Sequence, residues 1–156
     1  MRWICDAFDA VRRKFKKIVR LRVHDISDND GGPMHDHKSH QSGRDVDMSY
    51  YQKSCGDKAC AFESVRSKDL DAARQWTLFY EWIKNGQLEM VFVDYKLQAP
   101  LYRYAKKQGA TAAQLEKWFQ YPRGKNHPAG IIRHYAKHVD HFHARFVCPI
   151  KDRECR

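Results

Sequence analysis

A single α+β domain, with helices packed on a mostly antiparallel sheet, is the fold class predicted by the 156-residue sequence. Three observations predict it. Stretches with helical period are interspersed with short stretches of period two, the mixture expected when helices cover one side of a sheet. No repeat, low-complexity tract or interdomain linker divides the chain. Finally, 42% hydrophobic residues, with eight Phe, eight Tyr and four Trp, suit a globular core rather than a disordered chain. No apolar run approaches the ~20 residues a membrane span needs.

Residues 1–20 make up an N-terminal amphipathic part of the domain. Ile4, Phe8, Val11, Phe15 and Ile18 recur at three- and four-residue steps, predicting a helix over 4–18. Arg12, Arg13, Lys16 and Lys17 fall on its other face, which reads as the solvent side of a core-packed helix. LRVHDIS, residues 21–27, alternates like a short strand, and DNDGGP ends it in a loop. From Arg44 to Tyr50 the period is again two: Asp45, Asp47 and Ser49 share one side, Val46, Met48 and Tyr50 the other.

The second half follows the same logic. Leu70, Ala73, Thr77, Tyr80 and Ile83 mark a helix closed by Asn85-Gly86. LEMVFVDY, residues 88–95, is short and apolar enough for a buried strand. Leu97, Leu101, Tyr104 and Ala105 give another helix, and Thr111 to Gln114 form a capping-box pattern that opens a shorter one. YPRGKNHPAG is a loop, followed by two strand-like segments, IIRHYAK and HFHARFV.

Charge and cysteine narrow the function classes. The net charge of +10 favours anionic partners: nucleic acid, anionic lipid or a polymer such as a bacterial wall. The basic residues are scattered along the chain rather than interleaved with aromatics on one face, which disfavours a nucleic-acid binder. Cys55/Cys60 and Cys148/Cys155 each close a short polar loop without C-x-x-C spacing, so two small disulfides and an oxidising compartment fit, with Cys5 left over. No signal peptide is legible in MRWICDAFDAVRRKFKK, where Asp6 and Asp9 interrupt any apolar stretch.

Two histidine clusters remain. In HFHARFV the pleat sets His141, His143 and Arg145 on one face and Phe142, Ala144 and Phe146 on the other. The Phe/Ala/Phe face belongs in the core, so two imidazoles project side by side from the opposite face. In HKSHQSGRDVD, Asp47 points away from the Val46/Met48 side, and a Gln-Ser-Gly turn can bring His40 back beside it. An imidazole and a carboxylate from the first cluster, with one imidazole from the second, make a three-ligand zinc site with a vertex left for water, as catalytic zinc requires. The remaining imidazole of the second cluster is placed to manage a proton.

HKSHQSGRDVD followed by HFH resembles the penicillin-insensitive murein endopeptidases, part of a wider group of zinc peptidases that includes lysostaphin-type enzymes and D-Ala-D-Ala peptidases. The resemblance runs from about Leu21, so that residues 21–156 would form the peptidase domain. It implies one Zn²⁺ per chain, held by His40, Asp47 and His143, with His141 as the catalytic histidine. His37 and His138, each three residues ahead of a site histidine, match two further active-site histidines expected to bond the attacking water or the tetrahedral oxyanion. A Cys148–Cys155 disulfide is implied as well. The expected substrate is peptidoglycan, cleaved in its D-alanyl to meso-diaminopimelyl cross-links, in the periplasm or outside the cell. A non-catalytic wall-binding domain of the same fold is the rival reading. Arg44 and Arg145 are candidates either for stem-peptide carboxylates or for scaffold ion pairs. His35 and His134 have no assigned role.

Overall fold

The computed structural model of the protein describes residues 2–27, 31–32 and 39–148. Among these residues, four helices and four strands follow in the order α1 (Arg2–Lys14), β1 (Asp45–Ser49), α2 (Ala72–Lys84), β2 (Leu88–Phe92), α3 (Tyr95–Lys107), α4 (Ala112–Trp118), β3 (Ile132–Arg133) and β4 (His141–Phe146). The sheet order is β1-β4-β2-β3. β4 runs antiparallel to both β1 and β2, and the short β3 lies parallel to β2. The predicted α+β class and mostly antiparallel sheet are therefore observed.

One face of β4 builds the core. Phe142 meets Phe79 of α2 edge-on at 4.9 Å, and Phe146 meets Trp82 at 5.1 Å. Burying each such ring stabilises the fold by ~2–3 kcal/mol. α1 lays Ile4, Ala7 and Val11 against this layer, and the Trp82 indole N–H donates to the Trp3 carbonyl at 2.9 Å. α2 starts at Asp71, whose carboxylate accepts from the Arg74 N–H. α4 carries the full capping box expected of Thr111 and Gln114.

Element ends depart from the sequence expectation for local reasons. α1 stops at Lys14 rather than 18: the Phe15 N–H makes a last helical bond to the Val11 carbonyl, its ring lies 4.7 Å from the Arg74 guanidinium, and further on the Arg20 carbonyl accepts from the Cys60 N–H. Residues 21–27 form no named strand; they make isolated bridges, Leu21 to Cys60 and Val23 to Met48. Even so, this segment exchanges backbone hydrogen bonds with Asp47 and Ser49, covering the outer edge of β1. β2 ends at Phe92 because Asp94 becomes the N-cap of α3. β3 is cut to two residues when His134 leaves the sheet: its N–H donates to Gln120 Oε1, and its ring accepts from Tyr95 N–H. Gly130, at φ +111°, lies so close to Phe119 and Gln120 that a Cβ would be 2.5 Å from the Gln120 nitrogen.

Cys55 and Cys60 form a disulfide, and Cys5 is an exposed free thiol. Cys148 is also disulfide-bonded; Cys155, the partner expected for it, lies outside the described residues. Among the described residues, no helix is long and apolar enough to cross a membrane.

Candidate metal centre

β1 and β4 bring the two histidine clusters together through their register. Asp47 stands directly opposite His143, Asp45 opposite Arg145 and Ser49 opposite His141. Asp47 spends both backbone hydrogen bonds on residues 24 and 25 rather than on β4. The Asp47/His143 pair is thus a non-hydrogen-bonded pair of the ladder, the type whose side chains stand closest. His143 Nδ1 is 2.9 Å from Asp47 Oδ1.

His40 arrives from a loop and is held differently. Its backbone adopts φ 52°, a left-handed conformation that costs a residue other than glycine ~1–3 kcal/mol. Two contacts hold it there: its N–H donates to Asp45 Oδ2 at 3.3 Å, and its ring Nδ1–H donates to the Ile26 carbonyl at 3.2 Å. With Nδ1 committed, Nε2 turns inward, 3.1 Å from His143 Nδ1 and 3.5 Å from Asp47 Oδ2. His40, Asp47 and His143 are all buried, and their three donor atoms lie within 4.8 Å of one another.

The donor set fits a zinc ion. A four-coordinate site with bonds of ~2.0–2.1 Å separates its ligand atoms by roughly 3.3 Å, and the observed separations bracket that spacing. The tautomers fit too. His143 Nε2 faces Asp45 Oδ1 at 2.8 Å, as a donor to that carboxylate, which leaves Nδ1 with a lone pair when the ring is neutral. His40 Nε2 is likewise an acceptor. Two imidazole nitrogens and a carboxylate oxygen converging in a buried space suit a bound cation. Without one, a proton serves: hydrogen bonds to Asp45 and Asp47 outweigh burial and push the His143 pKa up. The same contacts hold Asp45 and Asp47 far below the ordinary carboxylate range despite their burial.

Asp45 is the keystone of the surroundings. Besides His143 and the His40 N–H, it accepts from Arg145 Nε at 2.7 Å and Nη2 at 3.1 Å. Arg145 is therefore a scaffold partner, and Arg44, 2.6 Å from Glu89, is an ion-pair residue as well. The sequence offered a hint to Asp45, which shares the Asp47 side of β1; its target only emerges with the β1–β4 register.

His141 and His138 stand beside the three donors. His141 Nδ1–H donates to Asp140 Oδ1 at 2.7 Å, leaving Nε2 as an acceptor 4.0 Å from Asp47 Oδ2. The His138 ring lies 4.7 Å from that of His141 and 6.2 Å from that of His143. Its Nδ1–H donates to the Ala136 carbonyl, and burial, with the neighbouring His141 and His143 rings, lowers its pKa. With Nδ1 as the donor, the neutral His138 ring presents Nε2 as an acceptor. Asp140 went unnoticed in the sequence, although it immediately precedes His141. Phe92 packs against His138 and His143, and Phe62 against His141, walling the cluster with apolar surface. His37 and His35 lie outside the described residues.

The family model of penicillin-insensitive murein endopeptidases matches residues 5–93, more than half of the chain. The chain belongs to this family. Membership makes it a peptidoglycan hydrolase with peptidoglycan as its substrate class. The matched span contains His40, Asp45 and Asp47, and the geometry adds β4, beyond the match, with His141 and His143. No curated protein matches the chain.

Proposed function

We propose that this family member is a zinc-dependent endopeptidase that hydrolyses the D-alanyl to meso-diaminopimelyl amide of peptidoglycan cross-links. The observation that carries the reading is the convergence of His40 Nε2, Asp47 and His143 Nδ1 from segments about a hundred residues apart. Zinc held by His40, Asp47 and His143 would supply Lewis acidity, polarising the scissile carbonyl and lowering the pKa of water enough for attack near neutral pH.

The chain's own residues handle the protons. Amide hydrolysis takes one proton from water and delivers one to the leaving amine. His141 Nε2 is the acceptor for the first and the donor of the second, with Asp140 fixing its tautomer and stabilising the imidazolium between the two steps. His138, neutral and accepting at Nε2, suits orientation of the attacking water better than donation to an oxyanion. His37, the other histidine assigned from the resemblance, is the proposed partner for the oxyanion. Phe62 and Phe92 thin out competing water. No serine acts as nucleophile, so β-lactams have nothing to acylate.

The net charge of +10 suits an anionic wall polymer, and the Cys55–Cys60 disulfide suits a periplasmic or extracellular setting. Incubation with purified cross-linked muropeptides tests the reading. Cleavage abolished by a chelator and restored by zinc is expected. No cleavage under either condition would leave the protein as a wall-binding domain.

A further inference from the structure

The strip RRKFKKIVRLR, residues 12–22, carries seven cations and no acid, and none of it enters the metal centre. α1 turns its apolar side into the core, so the cations of its last turn and of the following segment face outward. Arg12, Arg13, Lys16, Lys17 and Arg20 are all exposed. Asp9 pairs with Arg12 at 3.1 Å and Asp57 with Lys17 at 3.6 Å, contacts too exposed to neutralise the strip. Arg13 and Lys16 pair with no acid among the described residues.

Aliphatic side chains stand among these cations with no core to enter. Ile18 is 61% exposed and Val23 42%. Ile18 borders a cavity of about 290 Å³, floored by Phe8, Val11, Leu21 and Tyr51 and rimmed by Arg12, Lys17 and Arg20. A hydrophilic polyanion would satisfy the cations and leave the apolar groups in water. A bilayer with anionic headgroups satisfies both, with phosphates at the rim and hydrocarbon against the aliphatic side chains.

We infer that residues 12–23 form a peripheral docking surface for an anionic phospholipid bilayer. Ile18 enters the acyl boundary while Arg13, Lys16, Lys17 and Arg20 meet headgroup phosphates. The surface is independent of the metal chemistry, so either can fail alone.

Co-sedimentation of the full chain tests it, using vesicles of phosphatidylcholine alone, vesicles also containing phosphatidylglycerol, and purified peptidoglycan. Binding to the phosphatidylglycerol vesicles alone among the two lipids is expected, weakening about tenfold as salt screens exposed charge. The double variant Arg13→Glu/Lys16→Glu should lose at least about tenfold in vesicle affinity, and Ile18→Ser several-fold. Both should keep the wild-type circular dichroism and muropeptide hydrolysis. Unchanged vesicle binding in the double variant would overturn the proposal. So would retention on peptidoglycan through these cations without vesicle binding, which would assign the strip to the wall polymer.

Discussion

The two faces of β4 follow different rules. Phe142, Ala144 and Phe146 are held by dispersion and burial, which tolerate a substitute of similar volume. His141 and His143, on the other face, are each held by a carboxylate at one ring nitrogen, 2.7 Å from Asp140 and 2.8 Å from Asp45 respectively. That face specifies atoms rather than volumes. One strand thus separates stability from chemistry by the alternation of its pleat, and substitutions on the two faces should have separable consequences.

The sharpest break in the comparison is His141→Ala. It should lower muropeptide hydrolysis by ~10²–10⁴-fold while the zinc content and melting temperature stay near wild type. Retained hydrolysis would refute the catalytic assignment. On the apolar face, Phe142→Ala should cost ~3–5 kcal/mol of stability, read from denaturant midpoints, through the cavity it leaves beside Phe79. The folded fraction should still bind zinc.

Asp45→Asn is a subtler probe. It keeps the shape but removes the charge that orients His143 and anchors Arg145, so zinc affinity should fall ~10–100-fold. Titration with a competing chelator measures this, and an unchanged affinity would remove Asp45 from the account.

The smallest effect concerns pH and metal-free protein. The folded pKa values of Asp45 and Asp47 lie below the ordinary 3.8, so their stabilisation is present above that value and lost as pH falls through the folded values. His143 lies above its ordinary 6.5, so its stabilisation is full below 6.5 and lost as pH rises through the folded value. The melting temperature of metal-free protein should therefore decline on both sides of this window. Zinc should remove the alkaline decline, because it binds the deprotonated imidazole. Thermal melts across pH, with and without zinc, check the signs.

How far the sequence could be read follows from the same contrast. The pleat of HFHARFV and of RDVDMSY needs only period two, so the faces carrying His141, His143, Asp45 and Asp47 were legible. The resemblance supplied the choice of His40, Asp47 and His143 as ligands. The register opposing Asp47 and His143 was not legible, since it is set by pairing across about a hundred residues. Nor were the left-handed His40 backbone and its Ile26 anchor, which depend on where residues 21–27 run along β1. Those residues alternate like a strand, yet they bond chiefly to the β1 edge in isolated bridges. The short β3 and the early end of β2 reflect side-chain bonds of His134 and Asp94 that outcompete the ladder.

Zinc titration of metal-free wild type, His141→Ala and His143→Ala, followed by calorimetry and elemental analysis, tests the centre itself. The geometry predicts one tightly bound zinc per chain in wild type and in His141→Ala, and its loss in His143→Ala. Tight stoichiometric zinc that survives removal of the His143 imidazole would contradict it.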